Sequence, residues 1–219
     1  MGFPNNASSD FYFPWYNNVA MDSQFRVSNL GAVSTTITVS LAGSPIDSFT
    51  LPAGAAIRKN YAGQNNGPMH VYSSATPILA TIRVLFGGGS YSEMMGFPNV
   101  ITADFWFPWY NDVAFDSQFR VSNLGLGSTT ITVSLAGTPI DSFTLGAGTA
   151  IRKNYASQNN GAFHITSSGE PILATVRVLY AGTSFYEVMG YPGNALTSTQ
   201  YFPWYNNTAF NSQMRIAVP

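Results

Sequence analysis

TTITVSL, residues 35–41, alternates apolar and polar side chains and so places Ile37, Val39 and Leu41 on one face of a strand. Thr36, Thr38 and Ser40 fall on the other face, where β-branched threonine suits an exposed surface. Turn-forming segments follow, from Ala42 to Pro45 and then from Pro52 to Gly54. The stretch therefore predicts a half-buried strand within an all-β protein.

The same kind of alternation recurs along the first 94 residues and predicts about seven or eight short strands with turns every 8–12 residues or so. This spacing is typical of an immunoglobulin-like β-sandwich. Because the chain lacks cysteine, the disulfide of antibody domains is excluded, and the prediction concerns architecture only. We expect an antiparallel sandwich with Pro14 on an edge or a bulged strand.

The chain then repeats itself. Met1-Gly2-Phe3-Pro4 returns as Met95-Gly96-Phe97-Pro98, 94 residues later, and again as Met189-Gly190-Tyr191-Pro192. The sequence thus predicts two tandem immunoglobulin-like antiparallel β-sandwiches, repeat 1 over residues 1–94 and repeat 2 over 95–189. A partial third repeat over 190–219 is expected to hold two strands, at 200–205 and 212–218.

Composition limits the function. Charged residues make up 9% of the chain and the net charge is −1, so no basic surface for nucleic acid is expected. No apolar run is long enough for a transmembrane helix, and membrane insertion is not expected. The absence of cysteine also excludes cysteine nucleophiles and cysteine-bound metal.

The block Phe-Pro-Trp-Tyr, at residues 13–16, 107–110 and 202–205, is the most distinctive local signal. Its rings can fill the core of a repeat, form a contact between repeats or subunits, or stack on sugars. These three alternatives stay open. The interface candidates are the aromatic residues of this block and the apolar residues near the C-terminus: Trp15, Tyr16, Trp109, Tyr110, Phe202, Trp204, Tyr205, Met214, Ile216 and Val218.

Two charge pairs follow from a hairpin register. Arg83 and Glu93 are equidistant from Gly88, and Arg177 and Glu187 are equidistant from Gly182. If the turns are centred on these glycines, each pair lies directly across two antiparallel strands. We interpret them as structural ion pairs.

No residue pattern supports catalysis. Each repeat has one histidine, His70 or His164, and a lone histidine makes neither a triad nor a metal site. The oxygen-rich segment at 111–116 suits calcium, but its carboxylates are lost across the copies, so a solvated turn is the favoured interpretation. The sequence predicts a non-enzyme without a cofactor, and calcium remains the one alternative.

The order of these motifs resembles tandem repeats in large secreted surface proteins of Chloroflexi-like bacteria. It runs from Phe-Pro-Trp-Tyr through Phe-Arg-Val-Ser-Asn-Leu-Gly and Thr-Ile-Thr-Val-Ser-Leu-Ala-Gly to Glu-Val-Met-Gly-Tyr-Pro. The resemblance implies an extracellular or cell-surface location and a role as an adhesin, surface-layer component or filament subunit. It carries over no catalytic residue.

An incomplete repeat suggests how such a protein assembles. Two strands alone are marginal in water and need a partner. They can pack on repeat 2, belong to a longer array from which the segment was cut, or insert into the next molecule by strand donation. We therefore expect an extracellular structural protein that forms a homopolymer, a surface filament or array. The alternative is an adhesin or carbohydrate-binding module that binds surface glycans through exposed Trp15 and Trp109.

Overall fold

A computed structural model describes residues 7–86, 89–98, 102–182, 184–200, 202 and 204–219. The predicted strand at 35–41 is confirmed, with Ile37, Val39 and Leu41 buried and Thr36 exposed. The same inside–outside alternation defines most other strands, so hydrophobic period rather than any single motif fixes where strands form. Gly87 and Gly88 of the predicted first turn lie outside the described residues.

Repeat 1 is built from eleven strands. Three of them have only two residues, and one of these three is supplied by the start of repeat 2. The eleven strands are β1 (Asp10–Phe13), β2 (Tyr16–Asn17), β3 (Asp22–Asn29), β4 (Thr35–Leu41), β5 (Ser44–Leu51), β6 (Ala56–Lys59), β7 (Asn65–Asn66), β8 (Met69–Ser73), β9 (Ile78–Phe86), β10 (Ser90–Met95) and β11 (Phe97–Pro98).

Repeat 2 has the matching set in the same order, followed by one short 3-10 helix. Its elements are β12 (Asp104–Phe107), β13 (Tyr110–Asn111), β14 (Asp116–Asn123), β15 (Thr129–Leu135), β16 (Thr138–Leu145), β17 (Ala150–Lys153), β18 (Asn159–Asn160), β19 (Phe163–Ser167), β20 (Ile172–Tyr180), β21 (Ser184–Met189), β22 (Tyr191–Pro192) and the 3-10 helix Gly193–Ala195.

Each repeat forms one five-stranded and one four-stranded antiparallel sheet. In repeat 1 the orders are β11-β1-β8-β4-β5 and β10-β9-β3-β6, and in repeat 2 they are β22-β12-β19-β15-β16 and β21-β20-β14-β17. The inward faces of both sheets of a repeat contribute to one hydrophobic cluster, with Phe11, Phe25 and Ile37 among the fully buried residues of repeat 1. Repeat 2 has the equivalent cluster.

The prediction of two tandem immunoglobulin-like sandwiches is wrong. In an immunoglobulin domain the first strand pairs with the second, and the last strand pairs with the one before it in the other sheet. Here β1 pairs instead with β8, and β9 pairs with β3 as well as with β10, so β1 and β9 lie in exchanged sheets relative to the immunoglobulin order. The four larger sheets form a β-propeller-like arrangement of four small blades. Alternation identifies strands and their buried faces but contains no information on which strands pair, which is why the sequence misled.

The start of each copy completes a sheet of the copy before it. β11, at the beginning of repeat 2, pairs with β1 of repeat 1, and β22, from the third copy, pairs with β12 of repeat 2. Phe97 meanwhile buries its ring against Phe105 in the core of repeat 2. The junction between copies is therefore made of paired backbone and packed side chains.

The two strands predicted in the third copy, at 200–205 and 212–218, are absent from the described part of that segment. Beyond the 3-10 helix its described residues form bends and extended chain, and most are exposed. A strand persists only where another strand accepts its hydrogen bonds, and none is paired with these residues.

Among the described residues no helix could cross a membrane.

Candidate interface between repeats

The Phe-Pro-Trp-Tyr block divides its aromatic rings between core and surface. Phe13 and Tyr16 are buried within repeat 1, whereas Trp15 lies at the rim and is only partly covered. The Tyr16 hydroxyl donates to the Ser23 carbonyl over 2.7 Å, and the Trp15 Nε1 donates to Asn65 Oδ1 over 2.8 Å. These two bonds fix the indole ring in an outward orientation.

Repeat 2 holds its own tryptophan in the same way. Trp109 Nε1 donates to Asn159 Oδ1 over 2.8 Å, and the Tyr110 hydroxyl donates to the Ser117 carbonyl over 2.6 Å. The orientation of the ring is thus a property of the repeat. We define the tryptophan edge as the surface formed by three residues: the proline, the tryptophan and the residue six positions after the tryptophan. In repeat 1 these residues are Pro14, Trp15 and Met21.

A charged network lies on the outer side of the four-stranded sheet of repeat 2. Glu187 accepts bonds from Arg177 Nη2 over 2.9 Å and from Thr175 Oγ1 over 2.9 Å, and Arg120 Nη1 lies 3.4 Å from its Oε1. The strand register places Arg177 directly opposite Glu187. We call this surface the arginine face; it consists of Arg120, Ser122, Thr175, Arg177 and Glu187 in repeat 2, and of Arg26, Ser28, Thr81, Arg83 and Glu93 in repeat 1.

The tryptophan edge of repeat 1 covers the arginine face of repeat 2. Ser122 Oγ donates to the Pro14 carbonyl over 2.7 Å, and the Arg120 guanidinium carbon lies 5.9 Å from the centre of the Trp15 ring, within cation–π range. Met21 Sδ lies 3.1 Å from Arg177 Nη1. The edge thus presents three electron-rich groups, a carbonyl, an indole ring and a thioether, to a network that carries two positive charges and one negative.

Because the charged network is buried, the pKa values of its groups depend strongly on the charges beside them. Burial alone raises the pKa of the Glu187 carboxyl, but the charges of Arg177 and Arg120 and their hydrogen bonds outweigh it and hold the pKa at about 2. Burial lowers the pKa of the Arg120 guanidinium, and Glu187 opposes that effect. Arg120 Nε has no hydrogen-bond partner among the described residues. The contact is close: the cavity left beside Arg177, Glu187 and Trp15 measures about 10 Å³.

The arginine face of repeat 1 has the same internal bonds but no such cover among the described residues. Arg83 Nη2 lies 2.7 Å from Glu93 Oε2, and Arg26 Nη1 lies 3.4 Å from Glu93 Oε1. The Arg26 and Glu93 side chains are 29% and 30% exposed, against 2% and 4% for Arg120 and Glu187. A depression of about 460 Å³ opens above this face, lined by Arg26, Ser28, Thr81, Glu93 and Met95 among others.

The third copy repeats part of the contact on repeat 2. The Arg215 guanidinium carbon lies 5.6 Å from the centre of the Trp109 ring, which matches Arg120 over Trp15. Ala217 occupies the position of Ser122, so the hydroxyl that bonds the Pro14 carbonyl has no counterpart, and Pro108 is exposed where Pro14 is buried. The contact between successive copies therefore recurs in a weaker form.

Trp204 and Phe210 of the third copy correspond to Trp15 and Met21, whereas Pro203 lies outside the described residues. We call these two residues the tryptophan edge of the third copy. The Tyr205 hydroxyl donates to the Ser212 carbonyl over 2.9 Å, and the Asn206 side chain accepts from the backbone of Thr208 over 2.9 Å, as their counterparts do in both repeats. Trp204 is 81% exposed. The other interface candidates of this segment are exposed as well: Phe202, Tyr205, Met214, Ile216 and Val218.

The remaining predicted sites lie elsewhere. His70 Nε2 is 2.8 Å from Asp10 Oδ1, and its ring stacks on Tyr12 at 4.3 Å; His164 makes the equivalent contact with Asp104 over 2.6 Å. Among the described residues no group of three or more His, Cys, Asp or Glu side chains could hold a metal ion.

The candidate calcium segment uses its oxygens within the protein. Asn111 Oδ1 accepts the backbone N–H groups of Val113 and Ala114 over 3.0 and 3.1 Å, and Asp112 Oδ1 accepts that of Ser117 over 2.7 Å. The bonds to Asn111 are those of an Asx turn, and the bond to Asp112 closes the longer loop to Ser117, so both stabilise the chain that follows the tryptophan edge.

Sequence reasoning missed the arginine face. It identified Arg83, Glu93, Arg177 and Glu187 as ion pairs but not Arg26 or Arg120, which join each pair from the neighbouring strand. The available signal was the recurrence of arginine at positions 26, 120 and 215, eleven residues after each tryptophan of the block.

Comparisons with known proteins do not place the chain in a family. No family model matches the sequence, and no curated protein matches it. Among solved structures, the chain is similar to the GH2 β-galacturonidase from Eisenbergiella tayi bound to galacturonate, with a TM-score of 0.23 and 9% identity over 82% of this chain and 34% of the other. It is also similar to the Pleurotus ostreatus lectin in its apo form, with a TM-score of 0.18 and 14% identity over 83% of this chain and 81% of the other. Similarities of this size carry no inference about fold or function, and the resemblance to bacterial surface repeats stays a prediction.

Proposed function

We propose that the protein is a non-enzymatic extracellular structural protein, a subunit of a surface filament or array in which repeats join head to tail. The observation that carries the proposal is the contact of the tryptophan edge of repeat 1 with the arginine face of repeat 2. Its two sides recur in successive copies, so the same contact can be made more than once along an assembly.

The direction of the contact favours an open assembly. One copy contributes its tryptophan edge and the next contributes its arginine face, so the two sides of the joint are different surfaces. Contacts of this head-to-tail kind generate fibres when the rotation between neighbours does not close a ring. A surface with few charges also permits close lateral packing of such fibres.

The glycan-binding alternative receives less support from the geometry. It requires tryptophan rings free to stack on sugars, whereas Trp15 lies beneath Arg120 and Trp109 beneath Arg215. The indole N–H of each ring is bonded within its own repeat, and the cation–π contact of each ring is with the neighbouring copy, which favours the structural role. The argument is stronger for Trp15, which is partly covered, than for Trp109, which is 37% exposed.

Electron microscopy of the purified chain over a concentration series tests the proposal. We expect filaments or ordered arrays with an axial repeat that is a multiple of the spacing between repeats. Single particles or closed dimers at all concentrations would contradict it. Fluorescence titration with a panel of glycans is the companion test, in which a saturable change in tryptophan emission would favour the binding alternative.

A further inference from the structure

We propose that the arginine face of repeat 1 binds the tryptophan edge of the third copy, around Trp204, in a second molecule of this chain. The inference rests on the proposed function and specifies its contact surfaces. It assigns one role to two features that are unoccupied among the described residues, the depression over repeat 1 and the exposed aromatic cluster of the third copy.

The contact within the chain provides the template. Each side-chain position of the covered arginine face on repeat 2 has its identical counterpart on repeat 1: Arg26 for Arg120, Ser28 for Ser122, Thr81 for Thr175, Arg83 for Arg177 and Glu93 for Glu187. The internal bonds match as well, including the long Arg26–Glu93 contact of 3.4 Å. Because the residues and bonds of the repeat 1 face match those of the covered repeat 2 face, the repeat 1 face needs little reorganisation to bind the same kind of edge.

The second surface of the proposed contact, around Trp204 in the third copy, matches the tryptophan edge of repeat 1. Trp204 occupies the position of Trp15, and Tyr205 anchors its turn through Ser212 as Tyr16 does through Ser23. Phe210 takes the position of Met21 and is also exposed. Aromatic rings present electron-rich faces, so the edge of the third copy offers the arginine face the same kind of partner as the edge of repeat 1.

Charge and apolar area both favour this occupant. The arginine face of repeat 1 carries two guanidinium groups and one carboxylate, and the edge around Trp204 carries no charged residue from Phe202 to Met214. An exposed cluster that contains Phe202, Trp204 and Phe210 is also of the type that marks an interaction surface. Tryptophan and arginine are the residues most enriched among those that dominate binding energy.

Complementary variants test the proposal by sedimentation velocity of the full chain. Trp204→Ala removes the edge of the third copy and leaves the face of repeat 1 intact, whereas Arg26→Glu reverses a charge on that face and leaves the edge intact. We expect the wild type to associate with increasing concentration and each variant alone to associate at least about 30-fold more weakly. An equimolar mixture of the two variants should form a one-to-one complex that grows no further.

Further variants keep the test decisive. Ser28→Arg blocks the same face without removing any member of the ion network, and circular dichroism checks that each variant is folded. Leu126→Ala is the matched control, because Leu126 is an apolar residue that is 99% exposed and lies outside both surfaces. This control should associate like the wild type.

The possible failures are distinct. The inference is overturned if the wild type stays monomeric, if Trp204→Ala and Arg26→Glu associate like the wild type, or if their mixture forms no complex. Filaments that persist in both variants would leave the proposed function standing and overturn the inference. Closed dimers that both variants abolish would support the inference and contradict the proposed filament.

Discussion

The arginine faces of repeats 1 and 2 have the same residues and the same internal bonds, yet one is open and the other is buried. Arg26, Arg83 and Glu93 are each about one third exposed, while Arg120, Arg177 and Glu187 are at most 4% exposed. The difference arises from repeat 1, whose Pro14, Trp15 and strand β10 lie against only the second face. Identical face residues therefore contribute differently to stability, depending on whether the neighbouring copy covers them.

Exposure decides how much each ion network contributes to stability. A solvent-exposed ion pair contributes about 0–1 kcal/mol because water and side-chain entropy offset most of the attraction. In a buried network the attraction is stronger, but every charge depends on its partner, and removal of one partner leaves an uncompensated charge. The two faces are thus a matched pair for measuring what the contact between copies does.

The largest effect is expected from removal of the central carboxylate. Glu187→Gln should destabilise the protein by about 3–5 kcal/mol, because two buried guanidinium groups lose their counter-charge. Glu93→Gln, the matched change on the open face, should cost about 1 kcal/mol or less. Urea unfolding followed by circular dichroism measures both. Equal losses in the two variants would mean that the contact between copies does not alter the network.

A second comparison concerns the tryptophans. Trp15→Ala should cost about 2 kcal/mol, roughly half the usual loss for a tryptophan in a core, because the ring is partly covered and packs beneath Arg120. Trp109→Ala should cost less, since Pro108 beside it is exposed and the third copy covers it less completely. The same unfolding experiment compares them. A larger loss for Trp109→Ala would show that the third copy holds its neighbour more firmly than repeat 2 does.

Lowering the pH should also change the stability contributions of the two arginine faces to different extents. The pKa of Glu187 in the folded protein is about 2, below its ordinary value of 4.5, so its contribution is complete above pH 4.5 and is lost as the pH falls toward 2. The stability difference between the wild type and Glu187→Gln should therefore shrink over this range, by an amount on the order of 3 kcal/mol.

The acid experiment has its own matched variant. Arg83 and other neighbours lower the pKa of Glu93 against the effect of burial, but that group is about one third exposed. The difference between the wild type and Glu93→Gln should change little with pH. A difference for Glu187→Gln that stays constant from pH 4.5 to 2 would show that this carboxylate is not held by the buried arginines.

The smallest effect is expected at the serine of the arginine face. Ser122→Ala removes the hydroxyl that donates to the Pro14 carbonyl and should cost about 1 kcal/mol. Ser28→Ala should be almost neutral, because Ser28 is partly exposed on the uncovered face. Thermal unfolding resolves a difference of this size, and equal melting temperatures for the two variants would argue against the bond to Pro14.

Local features of this fold were predictable from sequence, and relations between distant segments were not. The strand at Thr35–Leu41 follows from alternation, and the pairing of Arg177 with Glu187 follows from a short hairpin around Gly182. The exchange of β1 and β9 between sheets depends on pairings across some 60 residues, which no local pattern encodes. The immunoglobulin-like prediction failed for that reason.

The candidate interface was only partly predictable from the sequence, because a local motif can be recognised there whereas a contact between distant segments cannot. The block around Trp15 could be recognised as distinctive, but three uses of its rings remained open until the neighbouring copy was in place. Arg120 was missed because its burial depends on Pro14 and Trp15, more than 100 residues away in the chain. The described residues of the third copy lack the strands expected there, because alternation without a pairing partner does not suffice.

Hydroxyl-radical footprinting over a dilution series tests the central claim most directly, because it reports the solvent exposure of individual side chains. The open pair, Trp204 and Met95, should oxidise readily in dilute protein and become protected as the concentration rises. Their counterparts within the chain are Trp15 and Met189, of which Met189 packs against the cores of both repeats. These two residues should be protected to the same degree at every concentration. If Trp204 and Met95 remain equally reactive at the highest concentration, the two faces do not bind the same partner and the account is contradicted.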